Sequence, residues 1–301
     1  MITQETKVRI IVNSSRLESS SQGTLDFPCA GYFTTGLETG SVEIPWHYHP
    51  EFECIAVLQG EKEVHLPGAV YHIHPGECLF INSGVLHYTQ TKPNSIFRSI
   101  VFSPSLIYGG ETSVFRKKYI DPLTRLCLKG YLLSGRHSWE QHFQKSFIAA
   151  FNALKKESFG YEFQVRELLS ECCSTLYHEL SGQYESRIKK ESADEIRLRQ
   201  MLDYIRLHYT EHLELSDIAA SASIGVRESL RCFKSTIGTS PMQYLKKYRI
   251  SQGADLLLMS RTDTVATIAG MCGFESPSYF SSVFRRFYHQ TPEEYRRQPL
   301  S

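Results

Sequence analysis

The last hundred residues of this chain contain the same pattern twice. Ile218-Ala219 aligns with Ile268-Ala269, Phe233-Lys234 with Phe284-Arg285, and Ser240-Pro241-x-x-Tyr244 with Thr291-Pro292-x-x-Tyr295, the spacing differing by one residue in the middle. Each copy reads as a short helix, a tight turn, a second helix and a third helix begun by proline. Two helices that cross steeply across a tight turn need small residues at the crossing. Ala219, Ala220 and Ala222 supply them in the first copy, Ala269 and Gly270 in the second. The turn needs a residue tolerant of unusual backbone angles, and Gly225 and Gly273 are the candidates.

The second helix of each copy would bury Leu230 and Phe233, or Phe280, Val283 and Phe284, and turn its other side outward. Ser276 can cap the helix of the second copy with Pro277 in its first turn, whereas in the first copy the cap falls to Gly225, a weaker one. The outward residues have the chemistry to read a major groove. Arg227 and Arg231 can bridge guanine, and Glu228 can accept from cytosine; Ser278, Tyr279, Ser281 and Ser282 can donate to base edges or phosphates. Lys234, Lys246, Lys247, Arg249, Arg285 and Arg286 suit phosphate contacts. A helix from Pro241 toward Met259, with Leu245, Tyr248, Leu256 and Leu257 inward, would space two such readers along one face of a duplex.

The rest of the composition neither demands nor forbids that partner. A net charge of +1 over 301 residues offers no global attraction to a polyanion, so a DNA surface must come from local clustering. The eight cysteines include no C-x-x-C pair, which fits a reducing compartment. No apolar leader and no stretch of membrane-spanning length is present, so a cytoplasmic protein with no membrane partner is expected.

From about Phe27 to Phe102 short apolar runs alternate with Gly, Pro and Asn-Ser-Gly turns, the pattern of many short antiparallel strands. Farther on the period changes to three and four. Ser138 can cap a helix with Trp139, Phe143, Phe147, Ala150, Phe151 and Leu154 on one stripe; Val165, Leu168, Leu169, Cys172, Leu176 and Leu180 mark a second. The polar stretch from Ser181 through Ser186, followed by the charged run Arg187 to Glu191, reads as a linker.

Leu215-Ser216-Asp217-Ile218-Ala219, Phe233-Lys234 followed by Gly238-Thr239-Ser240-Pro241, Cys272-Gly273-Phe274-Glu275-Ser276 through Tyr279-Phe280, and Thr291-Pro292-Glu293-Glu294-Tyr295-Arg296 resemble the AraC/XylS family of bacterial transcription regulators. Trp46-His47-Tyr48-His49-Pro50-Glu51-Phe52-Glu53, with Gly60, Pro75-Gly76-Glu77, Asn82-Ser83-Gly84 and His87, resembles the two motifs of a cupin barrel. Together the resemblances imply a two-domain α+β chain: a cupin-like sensor barrel over residues 1–135, a helical dimerisation and linker segment over 136–190, and an all-α DNA-binding domain of two tandem helix-turn-helix units over 191–301.

His47, His49, Glu53 and His87 would then share the barrel mouth with Trp46 and Tyr88. Three imidazoles and a carboxylate suit a divalent transition metal, though none is required: the same side chains can serve as polar contacts to a ligand. The resemblance implies a DNA-binding regulator, an activator by the commoner family habit, controlled by a small molecule such as a sugar or related metabolite. It also implies double-stranded DNA, RNA polymerase and a second copy of the chain as partners. The competing reading is a metal-dependent cupin enzyme, an isomerase or dioxygenase; a catalytic barrel has no need of a fused DNA reader, so no enzyme is expected.

Overall fold

The computed structural model describes residues 2–3, 26–35, 42–184, 193–260, 262–288 and 290–297. They divide into two compact units, one drawn mainly from residues up to 190 and the other mainly from residue 191 onward.

The strands form two sheets, and all but the strand at residues 42–47 belong to the first unit. The larger runs β1 (Ile2–Thr3), β2 (Cys29–Thr35), β9 (Ile96–Phe102), β4 (Phe52–Gln59), β7 (Cys78–Ile81) and β10 (Gly130–Leu133) in that spatial order. The smaller runs β3 (Val42–His47), β8 (His87–Thr91), β5 (Lys62–Leu66) and β6 (Ala69–Ile73). Register assigns the faces, because directly opposed residues point the same way. Glu53 lies opposite Ile81, Ile55 opposite Leu79 and Ser99, and Val57 opposite Phe97. Ile55, Val57, Val64, Leu66, Ile73, Leu79, Ile81, Val85 and Phe97 cluster on the interior side. The alternate residues of the same strands, among them Cys54, Ala56, Cys78, Phe80 and Ile100, turn outward into a second core that includes the helices.

Those helices are α1 (Pro104–Tyr108), a π-helical turn (Arg116–Ile120) running into α2 (Asp121–Arg125), α3 (Ser138–Lys156) and α4 (Tyr161–Tyr184). Phe143, Phe147, Phe151 and Leu154 of α3 and Val165, Leu169, Leu176 and Leu180 of α4 close against one another and the larger sheet. Ser138 does not cap α3: His137 holds the cap position and makes no side-chain cap bond. Buried Glu140 instead accepts from the backbone N–H of Arg136 at 2.9 Å, a carboxylate where the first turn's positive pole favours one. The stretch expected as a linker starts out as helix, since α4 continues through Ser181 to Tyr184; residues 185–192 lie outside the described residues.

The second unit is helical: α5 (Ala193–His208), α6 (Leu215–Ser221), α7 (Val226–Ile237), α8 (Pro241–Met259), α9 (Val265–Met271), α10 (Pro277–Tyr288) and α11 (Pro292–Arg296). The repeated Ser/Thr-Pro-x-x-Tyr motif acts as a helix starter with an anchor. Ser240 and Thr291 are the caps, Gln243 and Glu294 complete reciprocal capping boxes, and the prolines fill the first helical position. Tyr244 and Tyr295 are buried one turn in. Of the α8 residues expected inward, Leu245, Tyr248 and Leu257 are buried and Leu256 is half-buried. The sequence reading passed over Gly253, where an added Cβ would sit 2.7 Å from the buried ring of Phe280; the missing side chain lets α10 lie close on α8. No described helix is long and apolar enough to cross a membrane.

Candidate DNA-reading helices and barrel interior

The two helix-turn-helix units close their turns with the same hydrogen bonds. Ser223 N–H donates to Ala220 at 2.9 Å and Ile224 N–H to Ala219 at 3.2 Å; Gly273 N–H donates to Gly270 at 2.9 Å and Phe274 N–H to Ala269 at 2.9 Å. The residue carrying the left-handed backbone is Ser223 in the first unit (φ +55°) and Gly273 in the second (φ +76°). Gly225, expected to supply that conformation, has φ −78° and serves as the N-cap of α7. In the second unit Glu275 is the extra residue of the turn, and Ser276 is the cap, accepting from Tyr279 N–H at 3.2 Å. Gly273 is also sterically obligatory, since a Cβ there would lie 2.6 Å from the carbonyl oxygen of Tyr209.

On α7 the buried side is Ser229, Cys232, Phe233 and Ile237. Leu230, expected in the core, is instead 38% exposed. The reason is helical phase: Leu230 falls on the stripe of Arg227, Arg231 and Lys234, so the exposed face carries an apolar group able to meet a thymine methyl. Arg231 is exposed but engaged. Its guanidinium donates to both carboxylate oxygens of Glu228, at 3.0 and 2.7 Å, and to Asp194 at 2.8 Å. Glu228 also accepts from Arg197 at 3.2 Å, and the hydrogen bond from Arg231 holds its carboxyl below the usual range. The expected role of Glu228 as a free acceptor for cytosine is therefore corrected, because two guanidinium groups, Arg231 and Arg197, already occupy it. Arg231 can still change partners, since exposed ion pairs contribute only about 0–1 kcal/mol. Lys234 donates to the carbonyl of Gly238 at 3.3 Å, at the C-terminal end of α7.

On α10 the side chains of Ser278, Tyr279, Ser282, Arg285 and Arg286 are exposed. Ser281 is half-buried and gives its hydroxyl proton to the carbonyl of Pro277 at 3.0 Å, so it is a poorer base reader than expected. Lys246 is exposed with its ammonium 5.6 Å from the ring centre of Tyr279, whereas Lys247 is half-buried. Arg249, expected on phosphate, is committed elsewhere: it donates to the carbonyls of Tyr209 and Glu211, both at 2.6 Å, closing the chain beyond α5.

In the barrel, His47 ends β3, His49 sits in the corner that follows, Glu53 lies near the start of β4, and His87 opens β8. His47 and His49 thus lie on different elements, the first at the end of β3 and the second beyond it. The corner delivers His49 instead, because Gly84 N–H donates to the His49 carbonyl at 2.8 Å and Ser83 Oγ to that of Pro50 at 2.7 Å. One Glu53 oxygen lies 3.3 Å from His87 Nε2 and 3.6 Å from His49 Nε2, and the two rings stand edge to face at 5.1 Å. His47, His49 and His87 each bring a ring nitrogen within 4.8 Å of the others. His47 Nδ1 and His87 Nδ1 lie 2.7 and 2.8 Å from the carbonyls of Pro45 and Val85. With Nδ1 engaged by a backbone carbonyl, each ring leaves its Nε2 for the cluster, the ring orientation that metal-ligating histidines use, and at His87 that atom faces Glu53. Burial pushes the Glu53 carboxyl up, but hydrogen bonds and charge from His49 and His87 outweigh it and hold the group well below the ordinary carboxylate range.

Trp46 and Tyr88 do not join them. Each is one position away from a clustered histidine on its strand, so the alternation of side chains puts it on the opposite face. Tyr88 packs edge to face on His65 at 5.1 Å, outside the barrel.

Comparison with known proteins bears on both halves of the chain. A cupin domain matches residues 33–98 and a helix-turn-helix domain residues 218–298. The transcriptional activator RhaS of Yersinia pestis (strain Pestoides F) is 34% identical over 257 residues, covering 84% of this chain and 89% of RhaS. The chain belongs to the AraC family of helix-turn-helix transcription regulators. A second member, the uncharacterised regulator YdeC of Bacillus subtilis (strain 168), is 27% identical over 290 residues, covering 95% of this chain and 98% of its own. ToxT of Vibrio cholerae O395 shares the fold over 89% of this chain and 96% of its own, with a TM-score of 0.51 at 15% identity. These AraC-type relatives are DNA-binding regulators and not enzymes, which sets aside the isomerase or dioxygenase alternative.

Inside the barrel, the polar residues that sequence reasoning missed are Lys62, Thr89 and Thr91, all buried. The signal was present. His87-x-Thr89-x-Thr91 is a two-residue repeat of polar groups, and Lys62 alternates with Val64 and Leu66 on a strand.

Proposed function

We propose that the chain is a sequence-specific transcription activator switched by a small, polar, hydroxyl-bearing metabolite held in its barrel. The observation that carries this reading is the buried pair His49 and His87 with half-buried Glu53 between them, polar groups set beside the aliphatic cluster of the barrel interior. Ionised and imidazole groups are costly to bury, and a barrel needed only as a scaffold would be filled more stably by aliphatic side chains. The donor set also fits a divalent transition metal, held by His47, His49, His87 and Glu53. Such an ion, when bound, would polarise an effector hydroxyl.

Control follows from linkage: an effector that binds one arrangement of the chain more tightly than another shifts the population by that difference in affinity. Activation, through contact with RNA polymerase at the promoter, is supported by the name of the 34% identical relative, a transcriptional activator. Pairing with a second copy is supported by apolar surface on the barrel-covering helices: Phe163 of α4 is 81% exposed, and Phe159, before that helix, is fully exposed. Chromosomal DNA as the binding partner supports a cytoplasmic location.

The experiment is a reporter fused to a promoter the chain binds, read with wild type and His49→Ala under cell-derived inducer. The variant is expected to lose the dose response while retarding DNA at the same protein concentration in a gel shift. An unchanged dose response removes the His49 cluster from effector sensing.

A further inference from the structure

Within the same barrel a lysine is enclosed with no carboxylate at ion-pair distance among the described residues. Lys62 is 2% exposed and lies opposite Thr91 in the register of β5 and β8. Its ammonium donates to Thr89 Oγ1 at 3.3 Å and Thr91 Oγ1 at 3.2 Å and stands 3.8 Å from the ring centre of Phe97. Among the described residues no carboxylate lies within 4.0 Å of Lys62 Nζ, so the positive charge is solvated by two hydroxyl dipoles and one aromatic face. Burial draws its pKa down to about 8, with the field of Glu53 acting the other way, and the group stays largely protonated at neutral pH. Thr34, across β2 and β9 from the same Phe97, is buried too, and its Oγ1 has no hydrogen-bond partner.

A buried cation without an anion is costly, and a methionine of similar length would satisfy the core better. The chemistry of the surroundings says what would complete it. Thr89 and Thr91 accept from the lysine through their oxygens, so each keeps a hydroxyl proton to donate onward. One point charge with hydroxyl donors matches a single carboxylate; a phosphate dianion would call for a second cation or a bidentate guanidinium. His87, Thr89 and Thr91 share one face of β8, so the imidazole cluster and the ammonium address one interior.

We propose that the effector is a hydroxy-carboxylic acid, such as a sugar acid, whose carboxylate binds Lys62 together with Thr89, Thr91 and Thr34. This rests on the reading of the barrel as the effector site and names the chemical class that the site selects. Neutral sugars of the same size leave the lysine without a counter-ion and bind much more weakly.

Thermal unfolding of the full chain, wild type and Lys62→Met, tests it against matched pairs at millimolar concentration: D-galacturonate with D-galactose, D-glucuronate with D-glucose, and D-gluconate with D-glucitol. At least one acid is expected to raise the wild-type Tm by several degrees, its neutral partner not at all, and Lys62→Met is expected to lose the shift. Without ligand, Lys62→Met should unfold no lower than wild type. The inference is overturned if no acid shifts the wild type, if a neutral partner shifts it equally, if Lys62→Met keeps the shift, or if the unliganded variant is markedly less stable, which would make Lys62 a structural plug. Neutral sugars that stabilise wild type and Lys62→Met alike would leave the barrel as effector site and remove only the carboxylate. Failure of every pair, together with an unchanged His49→Ala reporter, would remove both.

Discussion

The two helix-turn-helix units share a backbone and differ in almost everything their outward helices carry. α7 presents Arg227, Leu230 and Arg231, with the guanidinium of Arg231 already spanning Glu228 and Asp194; α10 presents neutral Ser278, Tyr279 and Ser282 ahead of Arg285 and Arg286. The turns differ in the same sense. The first tolerates a serine at positive φ, whereas the second packs a glycine against the Tyr209 carbonyl. A duplicated scaffold can thus keep its hydrogen-bond pattern while the outward face of one helix becomes ionic, held by its own salt bridges, and that of the other hydroxylic.

The largest effect expected from that difference is on stability. Gly273→Ala forces a Cβ into a backbone oxygen and an L side chain into φ +76°, and should cost about 3 kcal/mol or more. Ser223→Gly at the matching position removes a strained residue and should change stability by less than about 1 kcal/mol. Denaturant midpoints of the two variants measure the contrast, and equal losses would mean the turns are not asymmetric.

Next in size is specificity. Arg231→Ala should weaken a cognate promoter by about 1–3 kcal/mol, and random DNA much less. Lys246→Ala should weaken both alike and lower the salt slope by about one. Identical cognate-to-random ratios for the two variants in a gel-shift titration would place Arg231 among the phosphate contacts.

The smallest effects lie at the caps. Ser276→Ala removes the bond to Tyr279 N–H and should cost about 1 kcal/mol, while Gly225→Ser adds the missing cap to α7 and should gain a few tenths. Opposite signs in thermal melts support the assignment, and a stabilising Ser276→Ala would contradict it.

Much of this architecture was legible beforehand because it rests on local rules. The proline-started helices, the Ser276 cap, the short strands set off by Gly, Pro and Asn-Ser-Gly, and the stripes of α3 and α4 all follow from neighbours within a few residues. Where the reading missed, either the face of an element or a partner distant in the chain decided the outcome. Leu230 looked like core by type, but helical phase against Cys232 and Phe233 turned it outward. Arg249 looked like a phosphate ligand, but two carbonyls some forty residues earlier had claimed it. Trp46 and Tyr88 lay beside the right histidines in sequence and on the wrong face in space.

The sequence by itself determined that two like helical modules follow a β-rich half bearing His47, His49, Glu53 and His87, since periodicity, capping and motif spacing are properties of short segments. Only the tertiary structure decided which charges are already paired, which glycine is obligatory, and that Lys62 lies enclosed with Thr89, Thr91 and Phe97. The physical reason is that burial and ion pairing depend on through-space distance, and a chain's order along itself does not fix which strands and helices come to face one another.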